Sequence, residues 1–281
     1  MVQYVTDVAT TRELQIIEES IKIDQYLATA FLSSTITTAS LFVVAAFGRG
    51  LYNSIFNESS HWPLPLSLSF PFDTSHPVVF VILFIWSSAA MYMVAFASVS
   101  SDAAFAGIAS NLAAHFQCIK LRFVDRSFSN EDESLKKLIK YHASTLHLSQ
   151  KLMASFRVII FQNLLVASVL LCALGFQLVM FLGSSIMFIY LAFVSAIVIQ
   201  ITFFAYFGSL LYHESTSIAD AIYCSNWYEA SPKTRRILLQ CIMRAQLPVN
   251  TKAGFMVASL PTMRAILSSA GSYVALLLSF T

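Results

Sequence analysis

Long uncharged apolar runs alternate along the chain with shorter segments that hold nearly all of the charge. Crossing about 30 Å of hydrocarbon takes a helix of roughly 20 mostly apolar residues. Five stretches meet this pattern: Leu27 to Gly48, Val78 to Ser100, Ile159 to Phe181, Ser185 to Tyr212, and a shorter one from Ala265 to Phe280. Two of them continue past the apolar run. From Glu131 to Leu174 there is neither Gly nor Pro, and Leu135, Leu138, Ile139, His142 and Leu146 keep helical spacing. One helix of about 40 residues reaches roughly 60 Å, twice the hydrocarbon thickness, so its first half projects beyond the membrane. The second span likewise continues through Ala103, Ala104, Phe105, Ile108, Leu112 and Phe116 toward Arg126.

Residues 213–262 are expected to cover these projecting stripes. Ser231-Pro232 reads as an N-cap followed by proline at the first helical position, and Pro248 marks the far end. Leu238, Cys241, Ile242 and Ala245 then form one face, opposite Lys233, Arg236, Gln240 and Arg244. The predicted fold is an all-α integral membrane protein with five transmembrane helices, the long ones extending into a cytoplasmic helical bundle. Its expected organisation is an N-terminal cytoplasmic segment, 1–26, followed by four spans within 27–212. Those spans include an outer loop, 49–77, and a cytoplasmic extension, 101–158. Cytoplasmic anchor helices, 213–262, and a last helix, 263–281, complete it.

Composition agrees with burial in lipid. The 281 residues are 57% apolar and 11% charged, with a mean hydropathy of +0.69, against about 45–50% and 25% in soluble domains. A net charge of +2 gives no field for nucleic acid. Where the cations lie is more informative. Sixteen Lys and Arg residues fall before the first span or in the second-to-third and fourth-to-fifth connections, whereas only Arg49 falls on the alternate side. The positive-inside rule then puts the N-terminus in the cytoplasm and, after five crossings, the C-terminus outside. The sequon Asn57-Glu58-Ser59 lies in the loop expected outside, which makes Asn57 a candidate glycosylation site. The first 25 residues carry seven charged side chains without an apolar core, so they do not form a secretory signal peptide.

Catalytic or metal chemistry is not indicated. Cys118, Cys172, Cys224 and Cys241 lack CxxC spacing, His142 and His147 are five apart and share no helical face, and no G-x-S-x-G, P-loop or HExxH occurs. No metal or cofactor is expected. Asp125-Arg126-Ser127 has only a partial likeness to a receptor D-R-Y motif and lies far beyond its apolar run. The apolar runs themselves hold no ionisable residue at their centres, unlike most ion-coupled transporters. Their outer halves carry Phe42, Trp86, Gln177, Met187, Phe188 and Tyr190. A cavity lined in this way suits a small, volatile, mainly hydrophobic ligand, held by shape and dispersion.

From Ala221 onward the chain resembles the C-terminal signature of insect odorant receptors. The residues that carry the likeness are Tyr223, Cys224, Trp227, Tyr228, Pro232, Leu247-Pro248, Thr251, Ala253-Gly254, Phe255, Ser259-Leu260, Ile266-Leu267 and Ser272-Tyr273. The order of long helix, hairpin, cytoplasmic segment and short last span over residues 131–281 is also similar. Such a resemblance implies a subunit of an odorant-gated non-selective cation channel in the plasma membrane of the olfactory neuron dendrite. It implies assembly with a shared co-receptor as a heterotetramer in the lipid bilayer. It places Ser272, Leu276 and Ser279 along the pore, with Leu276 at a hydrophobic constriction, and assigns Tyr223, Trp227, Tyr228, Leu238 and Ile242 to the anchor region where subunits meet.

That family has seven spans. The five here match its third through seventh, so two N-terminal spans are expected to be missing, and with them one wall of the ligand pocket. Gustatory receptors end in a related pattern that 272–280 loosely resembles, but the Cys224 to Tyr228 cluster favours the odorant branch. A small-solute transporter and a membrane scaffold acting through the cytoplasmic bundle are the other readings.

Overall fold

The computed structural model describes residues 11–56, 62–65, 76–125, 133–181, 183–184, 186–249, 252–254 and 256–279. Among them run four long helices: α1 (Thr11–Phe56), α2 (Pro77–Val124), α3 (Glu133–Met180) and α4 (Met187–Tyr223). A 3-10 turn over Trp227–Glu229 leads to α5 (Pro232–Ala245). The strands β1 (Lys252–Ala253) and β2 (Met256–Val257) pair antiparallel, with Lys252 opposite Val257, and α6 (Leu260–Leu278) follows.

Helices α1 to α4 are each long and apolar enough to cross a membrane. The fifth apolar run lies in α6, whose 19 residues include Arg264 and three serines and which does not meet the same measure. Helix α1 begins at Thr11, well before the apolar run that opens at Leu27. Its charged turns remain helical because Glu18 and Lys22 pair one turn apart at 2.8 Å and because Glu13 finds a partner on α2.

Helix α2 changes character along its length. Val78, Val81, Ile82, Ile85, Trp86, Met93, Val94 and Phe96 point outward, whereas Phe105, Phe116, Ile119 and Phe123 are fully buried. The second half of α4 mirrors this with buried Ile201, Phe204, Phe207, Leu211, Ile218 and Ile222. The densest core therefore joins the C-terminal halves of α2 and α4 and lies outside the most hydrophobic stretch of α2. Ala106, Ala109, Ser110, Ala113 and Ala114 are buried on α2, and side chains this small let helix backbones approach closely.

Polar clamps close the same region. Arg122 donates through Nε to Glu13 Oε1 at 2.6 Å and through Nη2 to Oε2 at 2.9 Å, a bidentate pair in which the carboxylate is 3% exposed. On the other side of α2, Lys120 Nζ and Gln117 Nε2 donate to the two Glu214 oxygens of α4 at 3.0 and 2.9 Å. Ser20 and Ser110 hydroxyls meet at 2.8 Å between α1 and α2.

Helix α5 forms as its caps dictate: Ser231 Oγ accepts from the Thr234 amide, Pro232 opens the first turn, and Pro248 follows the end. Leu238, Cys241 and Ala245 are buried and Ile242 is half-buried, while Lys233, Arg236 and Gln240 are exposed. The β1–β2 hairpin has no counterpart in the expected run of anchor helices. It turns at Gly254, whose φ of +63° suits a residue without Cβ. Beyond it, the Ala258 carbonyl lies so close to Gly208 of α4 that a Cβ there would overlap it.

Replacing Arg122 by Met removes the bidentate donor of buried Glu13. We expect a stability loss of about 3 kcal/mol, read as a lowered melting temperature in detergent, whereas Glu18→Gln at an exposed pair changes it by no more than about 0.5 kcal/mol.

Candidate functional site

Three of the spanning-length helices meet at one carboxylate. Asp102 of α2 is fully buried and accepts hydrogen bonds from Gln200 Nε2 of α4 at 2.8 Å, from Asn163 Nδ2 of α3 at 3.3 Å and from Ser101 Oγ at 3.3 Å. The hydropathy reading ends the second span at Ser100 and so passes over this residue. Helix α2 continues without a break past Ser100, as its helical spacing predicts, and carries the ionisable group into the bundle. A signal was present in the sequence: Asn163 and Gln200 are amide positions inside two largely apolar runs, and polar groups in such runs need partners.

Farther along the bundle are the positions expected to line a ligand cavity. Phe42 of α1 meets Phe193 of α4 edge to face, with centroids 5.7 Å apart. Tyr190 stacks on Phe181 at 5.8 Å, across the α3–α4 connection, and Met187 opens α4 half-buried. Ser40 and Tyr92 hydroxyls are 2.9 Å apart, and Thr38 Oγ1 donates to the Ala192 carbonyl at 3.4 Å, so α1, α2 and α4 share polar contacts at this level. Trp86, Gln177 and Phe188 are exposed on the outside of the bundle. Thus Phe42 and Tyr190 are held by aromatic partners, while no ring contact or hydrogen bond joins Trp86 or Gln177 to them among the described residues. The sequence reading missed a second aromatic group, Phe47, Trp62, Phe80 and Phe84, which closes the adjoining ends of α1 and α2 with ring spacings of 5.9 to 6.5 Å. Asn57 lies outside the described residues.

Helix α6 presents two unlike faces. Ile266 and Ala270 are buried, and one turn on, Val274 packs against Gly175 of α3. Ser272, Leu276 and Ser279 lie on the exposed side, and the hydroxyls of Ser272 and Ser279 turn back to carbonyls of their own helix. Among the anchor positions, Leu238 is in the core and Trp227 and Ile242 are half-buried against it, whereas Tyr223 and Tyr228 stand exposed.

Where α3 and α5 meet, a cavity of about 300 Å³ opens between Ile139, His142, Leu146, Ile237, Cys241 and Arg244. His142 is 3% exposed, packs edge-on against Phe116, and its Nε2 has no hydrogen-bond partner among the described residues. Burial, reinforced by the nearby Arg244 cation, pushes its imidazole down to about 4. No group of three or more His, Cys, Asp or Glu suited to a metal ion occurs among the described residues.

Comparison with known proteins assigns the family. Residues 6–271 match the family model described as the 7tm odorant receptor. The chain belongs to the odorant receptor family. This family member is 26% identical over 273 residues to odorant receptor 45a of Drosophila melanogaster, a match covering 97% of the chain and 72% of the relative. To odorant receptor 82a of the same organism it is 32% identical over 222 residues, covering 77% of the chain and 57% of the relative. Its fold is similar to that of the olfactory receptor OR5 of Machilis hrabei solved in complex with eugenol. That match has a TM-score of 0.81 at 17% identity and covers 95% of the chain and 69% of the other. Family membership and four helices of spanning length make the chain a membrane receptor and not an enzyme.

For this family member the depressed His142 titration fixes a sign for acid stability. Between pH 6.5 and 4 the unfolded chain holds the proton and the folded chain does not, so stability falls as pH drops through that window. The loss approaches roughly 3 kcal/mol at about 1.4 kcal/mol per pKa unit. Melting temperatures recorded across the window should decline in the parent and decline less in His142→Gln. At Asp102, replacement by Leu removes the shared acceptor of two half-buried amides and should cost about 1–3 kcal/mol, whereas Asp102→Asn, melted in parallel, should retain most of the stability.

Proposed function

We propose that the chain acts as the odorant-binding subunit of an odorant-gated non-selective cation channel in the plasma membrane of olfactory neuron dendrites, assembled with a co-receptor in a heterotetramer. The observation that carries this reading is the division of α6: one face is packed on α3, and Ser272, Leu276 and Ser279 are left on the other. An amphiphilic last helix with an open serine- and leucine-bearing face fits a helix that meets its counterparts around a water path. In this reading α6 is the fifth span. The N-terminus is cytoplasmic and the C-terminus outside, in accord with sixteen of seventeen Lys and Arg residues on the inner side.

The C-terminal halves of α2 and α4, the N-terminal half of α3, and α5 then form a cytoplasmic bundle, with Tyr223 and Tyr228 offered to neighbouring subunits. The small volatile ligand lies among the outer halves of the spans, near Phe42, Met187 and Tyr190, with Trp86 and Gln177 at its margin. The eugenol complex of the Machilis receptor supports a compact aromatic molecule as the class of ligand. Ligand opens the pore only in so far as it binds the open arrangement more tightly than the closed one. Leu276 closes the pore by ringing a narrow passage with apolar side chains that exclude water.

Co-expression with an odorant receptor co-receptor and recording of odorant-evoked cation current tests the proposal. Current that follows odorant application and requires both chains is expected; a silent channel across a broad odorant panel, despite surface delivery of both, overturns it. Leu276→Ala should raise resting conductance several-fold, measured as leak before odorant is applied. An unchanged leak removes Leu276 from the constriction.

A further inference from the structure

Helix α5 packs chiefly on α4 and stands off from the N-terminal half of α3, and the cavity of about 300 Å³ beside His142 fills that gap. Its size is at the lower end of small-molecule sites. Ile139 and Leu146 of α3 and Ile237 of α5 give it apolar walls, with the exposed amides of Gln150 and Gln240 at the rim. His142 and Arg244 supply the remaining chemistry.

Both of these groups lack a partner suited to them. His142 is buried, Nε2 is fully enclosed, and neither ring nitrogen takes part in a hydrogen bond among the described residues. A neutral imidazole offers one N–H and one acceptor, and polar groups buried this deeply are nearly always paired. Arg244 is half-buried; its Nη1 donates to the Leu247 carbonyl at 3.3 Å, and it makes no ion pair among the described residues. The surrounding carboxylates do not reach the cavity. Helix α5 has none, and Glu133 of α3 pairs with Lys136. On α2 and α4, Asp102 is held by amides and Glu214 by Lys120 and Gln117, while Asp125, Asp220 and Glu229 are exposed and line no part of the cavity.

Charge and polarity together narrow the occupant. A water satisfies the ring of His142 but leaves Arg244 without a counter-charge and the apolar walls bare. One cation matches one negative charge, and the guanidinium fork fits a planar carboxylate through two parallel hydrogen bonds. Apolar walls on both helices call for a hydrocarbon tail on the same molecule. The position selects a solute that arrives through water: His142 precedes Arg157 and the uncharged run after it by fifteen residues, roughly 22 Å of helix.

We propose that this cavity binds a small monocarboxylate with a short apolar tail, its carboxylate received by Arg244 and by the ring N–H of His142. The site is separate from the outer level of Phe42 and Tyr190 and goes beyond the odorant reading. The bound anion bridges α3 and α5, two elements that otherwise touch little.

The test uses the whole chain in phosphatidylcholine nanodiscs and reads thermal protection and calorimetric binding with hexanoate as the probe. Hexan-1-ol, which keeps the tail, and acetate, which keeps the charge, are the comparison solutes. Hexanoate should raise the melting temperature in a saturable way, and the other two should not. Arg244→Gln should weaken binding roughly tenfold or more, as expected for a lost charge-assisted pair. His142→Phe keeps a ring without its nitrogens and should weaken binding several-fold. Ala143→Phe leaves both polar groups in place, fills the cavity, and should abolish binding. Arg236→Gln, on the opposite face of α5, should bind as the parent does. Melting temperatures without solute are the folding control, and where one variant fails to fold the others decide. No protection by hexanoate, equal protection by hexan-1-ol or acetate, or an equal loss in Arg236→Gln overturns the proposal. Parental affinity in a folded cavity variant also overturns it, by assigning hexanoate to another level of the bundle. Odorant-evoked current is a separate readout, so failure here leaves the channel reading standing, and the reverse holds too.

Discussion

Helix α2 must satisfy two surroundings along one rod, and the rest of the architecture follows from how it does so. Its first half turns large apolar side chains outward, which is stable only against hydrocarbon. Its second half turns Phe105, Phe116, Ile119 and Phe123 inward and therefore needs neighbours that extend equally far. Helices α1 and α4 supply them, and both must run well beyond a membrane's thickness to do so. A core of aromatic rings and small residues on α2 then holds these helices together.

Polar groups register these long rods against one another. Dispersion alone fixes separation well and axial position poorly, because similar apolar rows can slide by a turn. The Glu13–Arg122 fork, the Glu214 pair with Lys120 and Gln117, and the Asp102 amide cluster each have one satisfactory alignment. They occur at successive heights on α2, so a slip of α2 breaks all three at once and a slip of α4 breaks two.

Much of this was legible in the sequence. Uncharged runs located four long helices, the Gly- and Pro-free stretch after Glu131 announced the length of α3, and Ser231-Pro232 marked the start of α5. The C-terminal pattern pointed to the family that the comparisons assign. Other features were not legible, for specific reasons. Hydropathy averages over a window and cannot register a lone Asp102 whose cost is offset by amides from helices sixty and a hundred residues away. The exposure of Trp86 on α2 was not legible either, because aromatic type is visible in a sequence while the side of the helix it occupies is not. The hairpin is too short for period-two alternation to be counted, and only Gly254 hinted at a turn. The pairing of Glu13 with Arg122 could not be read from spacing, because the two are 109 residues apart in the chain.

The close seating of Ala258 on Gly208 carries a mechanical consequence. The carbonyl rests directly on the α4 backbone, and next to it the Leu260 amide donates to Ser209 Oγ at 3.1 Å. No long, compliant side chain intervenes between the two elements. A tilt of α4 is therefore delivered undamped to the foot of α6, as a rigid linkage passes on a displacement that a soft one absorbs.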